Sequence, residues 1–445
     1  MNPPARFQKP CRYIFYFALI PTRSKKDLAG KANYTDFRIN FKIEFTIHLQ
    51  KVRITSTFAR HKIISMKFFT IKTILIISIF FAFSCKEKTI GTEEKIKTAE
   101  NQVHYATGFS IYKYNGYSVV KVVNPWPNAT KDYTYILKEA SGKIPDSLKN
   151  YTSISVPIKN IVVTSTTHIP SLEMLDVENS LIGFPNLNYI SSDKVRSRID
   201  LGKIKELGQN QDLNTEVIID LNPDVLIGYG IDNKNPTLDN LEKSGIKIML
   251  NGDWNEQTPL GKAEWIKFFG VLYGKEKMAD SIFANIEKEY KNTIELAEKA
   301  TKKPTVLAGD IFEGTWYLPK GSSWGSQLIK EAGGHYLWEE TQGTGSLALS
   351  FEVVFEKAKD AEFWITSGQF STLKDMQKGN PHYSQFSAFK NNKVYSFSNK
   401  KGKTGGNLYY ELAPNRPDLV LKDMVWVFHP ELLPNYTPYF FEQIQ

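Results

Sequence analysis

The sequence predicts an α/β protein of two similar lobes with mostly parallel sheets, joined by one long helix. Three observations carry that prediction. First, a block repeats. Glu216 opens EVIIDLNPD, which leads through Asp224 into the apolar run VLIGYG; Glu352 opens EVVFEKAKD, which leads through Asp360 into EFWITSG. Second, short β-branched apolar runs alternate with helical periods on both sides of the middle of the chain, the pattern of a parallel sheet. Third, residues 261–302 keep apolar side chains at three- and four-residue steps, as one long helix does. Two Rossmann-like lobes on a shared helix leave a cleft between them, and such a cleft is a place to hold a ligand.

The elements follow in order from the N-terminus. Residues 1–65 carry thirteen Lys/Arg against three Asp/Glu and show no sustained period. At Met66 the pattern changes. Lys67 and Lys72 make a basic start, residues 73–83 are almost wholly apolar, and Ser84 and Cys85 follow. That is the layout of a secretory signal peptide over 66–84. Export machinery reads the N-terminus, so Met66 is the expected start and 1–65 an over-extended gene start or a disordered arm. The competing reading is a membrane anchor behind a basic cytoplasmic arm, but the apolar run is shorter than the roughly 20 residues a spanning helix needs. The net charge of +9 comes wholly from residues 1–65. Without them the chain is slightly acidic, so its overall basic balance does not argue for nucleic acid.

There are two cysteines. Cys11 falls in the arm. Cys85 then has no partner for an internal disulfide in the exported part. It stands behind Ala82-Phe83-Ser84, where bacterial lipoproteins carry the Cys that is diacylated and anchors the chain to a membrane. The usual pattern has a small residue at Phe83 and often Leu at Ala82; a free thiol is the alternative. Residues 85–107 begin polar and charged without period, as a tether does.

Residues 108–159 read as a small antiparallel addition, because FSIYKYNGYSVVKVV alternates about Asn115-Gly116, a hairpin turn signal. The N-terminal lobe, 160–260, opens with the strand IVVTST. A helix at 169–175, strand SLIGF, the Glu216 helix, strand VLIGYG, a helix at 236–244 and strand IKIML follow. Gly270 and Gly274 are placed to divide the connecting helix. The C-terminal lobe, 303–445, runs from TVLAGDI through a helix at 326–332, the Glu352 helix, EFWITSG and KVYSFS to the amphipathic PDLVLKDMVWVFHP.

These words, in this order, resemble one family. They are IVVTSTTHIPSLEMLDV, NTEVIIDLNPDVLIGYG, LEKSGIKIML, FFGVLYGKEKMADSI, GSSWGSQLIKEAGG, LSFEVVFEKAKDAEFWI, NNKVYSF and RPDLVLKDMVWVFHPEL, and they cover roughly residues 160–432. The family is the substrate-binding proteins of bacterial ABC importers for ferric siderophores, haem and cobalamin. The resemblance implies lobes held by a rigid helix, with small closure on the ligand. It also implies that Glu216 and Glu352, one per lobe, dock on Arg residues of the importer's permease. Each acid also sits in a first helical turn, where it offsets the helix dipole by about 0.3–1 kcal/mol. The expected ligand is a ferric siderophore, with cobalamin or haem as alternatives. The expected molecule is a lipid-anchored monomer outside the inner membrane, with no enzymatic activity and no cofactor.

Ligands of open α/β sheets sit beyond the carboxyl ends of the strands. That rule selects Thr166, Thr167 and His168 after the first strand, Tyr189, Arg196 and Arg198 after SLIGF, Tyr229 after VLIGY and Trp254 after IKIML. In the second lobe it selects Trp316 and Tyr317, with Trp324, the run at 343–346, Tyr409 and Tyr410 as further candidates. Aromatic faces suit a flat or catechol-bearing ligand, and Arg neutralises an anionic chelate and stacks. Each of these aromatics serves equally well as core. The pattern Gly321-Ser322-Ser323-Trp324-Gly325 fits a nucleophile elbow, which makes an exported serine hydrolase the alternative from another class. GKT at 402–404 lacks the leading Gly of a phosphate loop. Five His lie beyond the arm with no His-rich loop. A bare zinc or manganese site starting at His168 is therefore the weaker expectation.

Overall fold

Ile161-Val162-Val163 is a run of β-branched residues, and all three are fully buried. Stiff side chains that are covered on both faces mark an inner strand of a parallel sheet. In the computed structural model this strand is central. It pairs in parallel with Val225–Gly228 and Leu181–Phe184, and Ile248–Leu250 and Lys205–Glu206 complete the five-stranded sheet. The structure describes residues 99–210, 212–230 and 235–445. Cys85, the signal-peptide segment 66–84 and the arm 1–65 lie outside the described residues.

The second lobe repeats the plan. Thr305–Ala308 lies between His335–Tyr336 and Phe363–Thr366, Val394–Ser396 adds in parallel, and Glu442–Gln443 closes the edge antiparallel. The two lobes are thus α/β with mostly parallel sheets. The repeated Asp does not do the same work in both. Asp224 Oδ2 accepts from the backbone N–H of Lys159 and Asn160 at 2.7 and 2.9 Å, pinning the entry to the central strand. Asp360 is exposed; there Glu362 and Thr305 exchange the bonds that hold the two strand starts together.

The N-terminal addition is a four-stranded sheet, Phe109–Tyr114, Tyr117–Val122, Tyr133–Glu139 and Thr152–Val156 in that order. Its first two pairs are antiparallel and its last is parallel, a departure from the all-antiparallel expectation. Gly116 makes the hairpin turn at φ +81, a conformation open to Gly at no steric cost. The inner face of this sheet shares one core with the N-terminal lobe: the Phe109 and Trp265 rings pack at a tilt with centroids 4.3 Å apart, and Ile111, Val120, Leu137 and Ile154 join Val163 and Phe268.

The connector is three helices rather than one. Pro259–Glu264 and Ile266–Leu272 precede the 22-residue helix Glu276–Ala297, with Gly274 at φ +64 before the last. Gly270 makes no break. It lets two helices cross closely, since a Cβ there would lie 2.6 Å from that of Ala279. Helix Glu276–Ala297 belongs to both cores. Ala279, Phe283 and Ile286 pack with the N-terminal lobe, and Tyr290 and Ala297 with the C-terminal lobe. A stiff element buried at both ends fixes the spacing of the lobes.

Candidate functional site

Two adjoining cavities, of about 210 and 270 Å³, open where the strand ends of the lobes face each other. They share Trp324, Thr344, Tyr409 and Tyr410. The larger straddles the cleft. Thr166 and Thr167 reach it from the turn after Ile161–Val163, and Asp253 and Trp254 from the turn after Ile248–Leu250. The smaller extends into the C-terminal lobe between Asp310, Tyr317, Phe312, Phe370 and Phe397. The walls therefore combine aromatic rings with polar side chains, the polar groups being the majority in the larger cavity.

Local chemistry explains these positions. Ser165 caps the turn Thr166–His168 by accepting from Thr167 N, which presents both Thr side chains at the strand end. Trp254 is held by its Nε1, which donates to Gly230 O at 3.2 Å. Ser323 caps helix Trp324–Glu331 by accepting from Ser326 N at 3.3 Å, so Trp324 enters the cleft from the helix's first position. Trp324 stacks on Tyr409 with centroids 6.2 Å apart. Beneath it lies Lys262, whose Nζ is 5.4 Å from the Trp324 ring and donates to Asp253 O and Trp254 O, each at 3.0 Å. Burial pulls the Lys262 pKa down to about 8 against the opposing pull of Asp253 and Glu256.

Of the residues chosen from the sequence, Thr167, Trp254 and Trp324 line the cleft, with Thr166, Tyr317, Thr344, Tyr409 and Tyr410. Others are placed elsewhere. Trp316 is fully buried: it stacks on Trp364 at 5.3 Å and donates its Nε1 to Ala308 O. Strand Thr315–Pro319 alternates in burial, with Trp316 and Leu318 buried; Tyr317, Leu318 and Pro319 reach the cavity lining and Trp316 does not. His168 is also fully buried, against Phe269, and burial lowers its pKa. Arg196 is buried and donates to Leu187 O at 2.5 Å; Arg198 donates to Asn179 Oδ1 and to the carbonyls of Asn179 and Leu181. Both guanidiniums tie the N-terminal lobe together instead of facing the cleft. Tyr189 and Tyr229 are half-buried and outside the described lining of both cavities. Sequence reasoning missed Asp253, Lys262, Asp310, Phe370 and Phe397. The strand-end rule reaches Asp253, which precedes Trp254, but Lys262 lies inside an apolar helical run that gives no such signal.

Glu216 and Glu352 are both exposed, each in the first turn of a capped helix. The caps are Asn214 and Ser350. The backbone N–H of Glu352 itself and the Ser350 hydroxyl hold the Glu352 carboxyl below its usual range. Among the described residues no cluster of His, Cys, Asp and Glu could hold a metal ion, and no helix is long and apolar enough to cross a membrane.

Two α/β lobes on a common spine, with a lined cleft between them, define a ligand-binding protein. The chain belongs to the periplasmic binding protein family, which it matches over residues 161–400, more than half its length. It is 26% identical over 389 residues to an uncharacterized lipoprotein of Methanocaldococcus jannaschii, a match covering 80% of this chain and 90% of that one. Solved structures also align. A periplasmic solute-binding protein of Staphylococcus epidermidis does so with a TM-score of 0.49 and 17% identity over 61% of this chain and 99% of that one. A periplasmic haem-binding protein of Pseudomonas aeruginosa does so with a TM-score of 0.47 and 17% identity over 65% and 98%.

Proposed function

We propose that this chain is the extracytoplasmic receptor of an ABC importer, anchored by a lipid on Cys85, and that its ligand is an iron chelate of the ferric siderophore class. The observation that carries the reading is the cleft lining: Trp254 and Thr167 of one lobe face Trp324 and Tyr409 of the other across one cavity. Aromatic faces from both sides suit a bulky, flat-faced guest that bridges the lobes. Cobalamin or haem would use the same faces. A relative described as a lipoprotein supports the anchor.

The exposed acids support delivery to a permease. Ile219, one turn from Glu216, is 44% exposed and Val353, beside Glu352, is 49% exposed. A carboxylate with an exposed apolar neighbour, once on each lobe, fits a partner that reads both lobes together.

Tryptophan fluorescence of the exported chain, titrated with ferric hydroxamates, ferric catecholates, haem and cobalamin, tests the ligand. Saturable quenching by one of them is expected, and no quenching by any of them rejects the reading. A Glu216→Ala/Glu352→Ala chain should bind the ligand unchanged and fail in uptake; full uptake would reject the docking role.

A further inference from the structure

We propose that the cleft selects its guest by charge, taking a neutral or cationic chelate and turning away polyanions. This inference rests on the reading of the cleft as a chelate site. The carboxylate and ammonium side chains among the described lining residues are Asp253, Glu256, Asp310 and Lys262, three acids against one base. Lys262 does not offer its charge to a ligand, because its buried Nζ is held by two carbonyl oxygens beneath Trp324.

Glu256 is likewise engaged, accepting from Thr107 and Gly108. The acids that remain are placed differently. Asp253 is buried, and its Oδ1 has no hydrogen-bond partner among the described residues; its charge and that of Glu256 both face the single ammonium of Lys262, so the wall keeps an excess of negative charge. Asp310 is half-buried and held by the hydroxyls of Thr366 and Ser367, which fix its carboxylate at the wall of the inner cavity. The ring faces between these carboxylates carry negative quadrupole potential and attract cations.

Two further lysines lie beside lining residues. Lys401 is exposed and donates to Gln369 Oε1 at 2.7 Å, and Lys320 is half-buried beside Gly343. The exposed Lys401 charge is screened within about 10 Å at 0.1 M salt, whereas the walls act on a desolvated guest at short range. A polyanion entering this cleft would lose its hydration and meet carboxylates, with no described guanidinium to replace the water. A monocationic ferric tris-hydroxamate or a neutral corrinoid meets no such penalty.

The test is a quenching titration with four probes: the ferric complex of desferrioxamine B (a monocation), cyanocobalamin (neutral), a ferric tris-catecholate (a trianion) and haem. Either of the first two should bind at least tenfold tighter than the trianion and haem, and which of the two binds identifies the source. If the monocation binds, its affinity should fall severalfold in Asp310→Asn. Tighter binding of the trianion or of haem by the unaltered chain overturns the charge rule and leaves the chelate reading standing. Quenching by none of the four overturns the chelate reading itself, and the charge rule with it.

Discussion

The Glu411 carboxylate lies 2.6 Å from the backbone nitrogen of Ser191 and 3.0 Å from that of Ser192, and these residues belong to opposite lobes. Neighbouring bonds extend the contact. Asn415 donates to Thr167 O and accepts from Ser171 Oγ, both at 2.8 Å, and Thr404 donates to Asn188 O at 2.8 Å. Residues 402–416 therefore strap the C-terminal lobe onto the N-terminal lobe beside the cleft. With the spine helix, they give the lobes two separate ties, which favours a small opening over a wide hinge motion.

The strap makes stability depend on pH in a defined direction. Burial raises the Glu411 pKa to about 8 although both Ser N–H groups lower it, while its ordinary value is 4.5. Between those values the folded chain keeps a proton that the unfolded chain has lost. The contribution of Glu411 is therefore full below about pH 4.5, declines as pH rises toward about 8, and is flat above. Glu411→Gln, which keeps an acceptor without the titration, should remove that decline. Urea midpoints of both proteins at pH 5 and pH 8.5 check it; an unchanged pH difference in the variant would reject the assignment.

A second carboxylate holds the segment that leads into the N-terminal addition. Glu264 is fully buried and accepts from the backbone N–H of His104, Tyr105 and Ala106, and Lys267 Nζ pairs with it at 3.0 Å. Glu264→Ala leaves a buried ammonium and three backbone donors without this acceptor, so a loss of about 3–5 kcal/mol is expected. Glu264→Gln should cost less, because its amide oxygen still accepts. Denaturation curves read the cost, and faster amide exchange at 104–106 would locate it.

Much of the architecture was legible because it rests on local periods. The apolar strands Ile161–Val163 and Phe363–Thr366 and the hairpin at Asn115-Gly116 announce themselves in a few residues. The site was less legible because facing is a matter of single residues. Trp316 and Tyr317 are equivalent in sequence, and only strand register sends one to the core and the other to the cleft. Arg196 and Arg198 were attractive as cations for an anion. Their carbonyl partners, Leu187 and Leu181, come from the preceding turn and strand, a closure that composition does not reveal. Glu264 and Glu411 gave no signal at all, since each is defined by backbone donors far along the chain.

Ser323 separates the binding reading from the hydrolase one. It is buried, and its hydroxyl serves as the cap of helix Trp324–Glu331. Ser323→Ala should therefore lower stability by about 0.5–2 kcal/mol. A fluorophosphonate probe should leave the unaltered protein unlabelled. Labelling that vanishes in Ser323→Ala would make this serine a nucleophile and overturn its assignment as a cap.

Trp324 and Trp316 make a paired test of the site. Trp324 is half-buried, stacks on Tyr409 and lines both cavities, so its ring has a face for the guest. Trp316 has no exposed surface and packs among Trp364, Tyr383 and Phe386. Trp324→Ala should weaken binding by about 2 kcal/mol or more, the range of a buried aromatic anchor, with a small change in melting temperature. Trp316→Ala should do the reverse, costing about 3–5 kcal/mol of stability through the cavity it leaves while the folded fraction binds normally. Melting curves and ligand titrations on both variants read the two effects separately. If Trp316→Ala lost affinity while Trp324→Ala kept it, the guest would occupy the C-terminal core and not the cleft between the lobes.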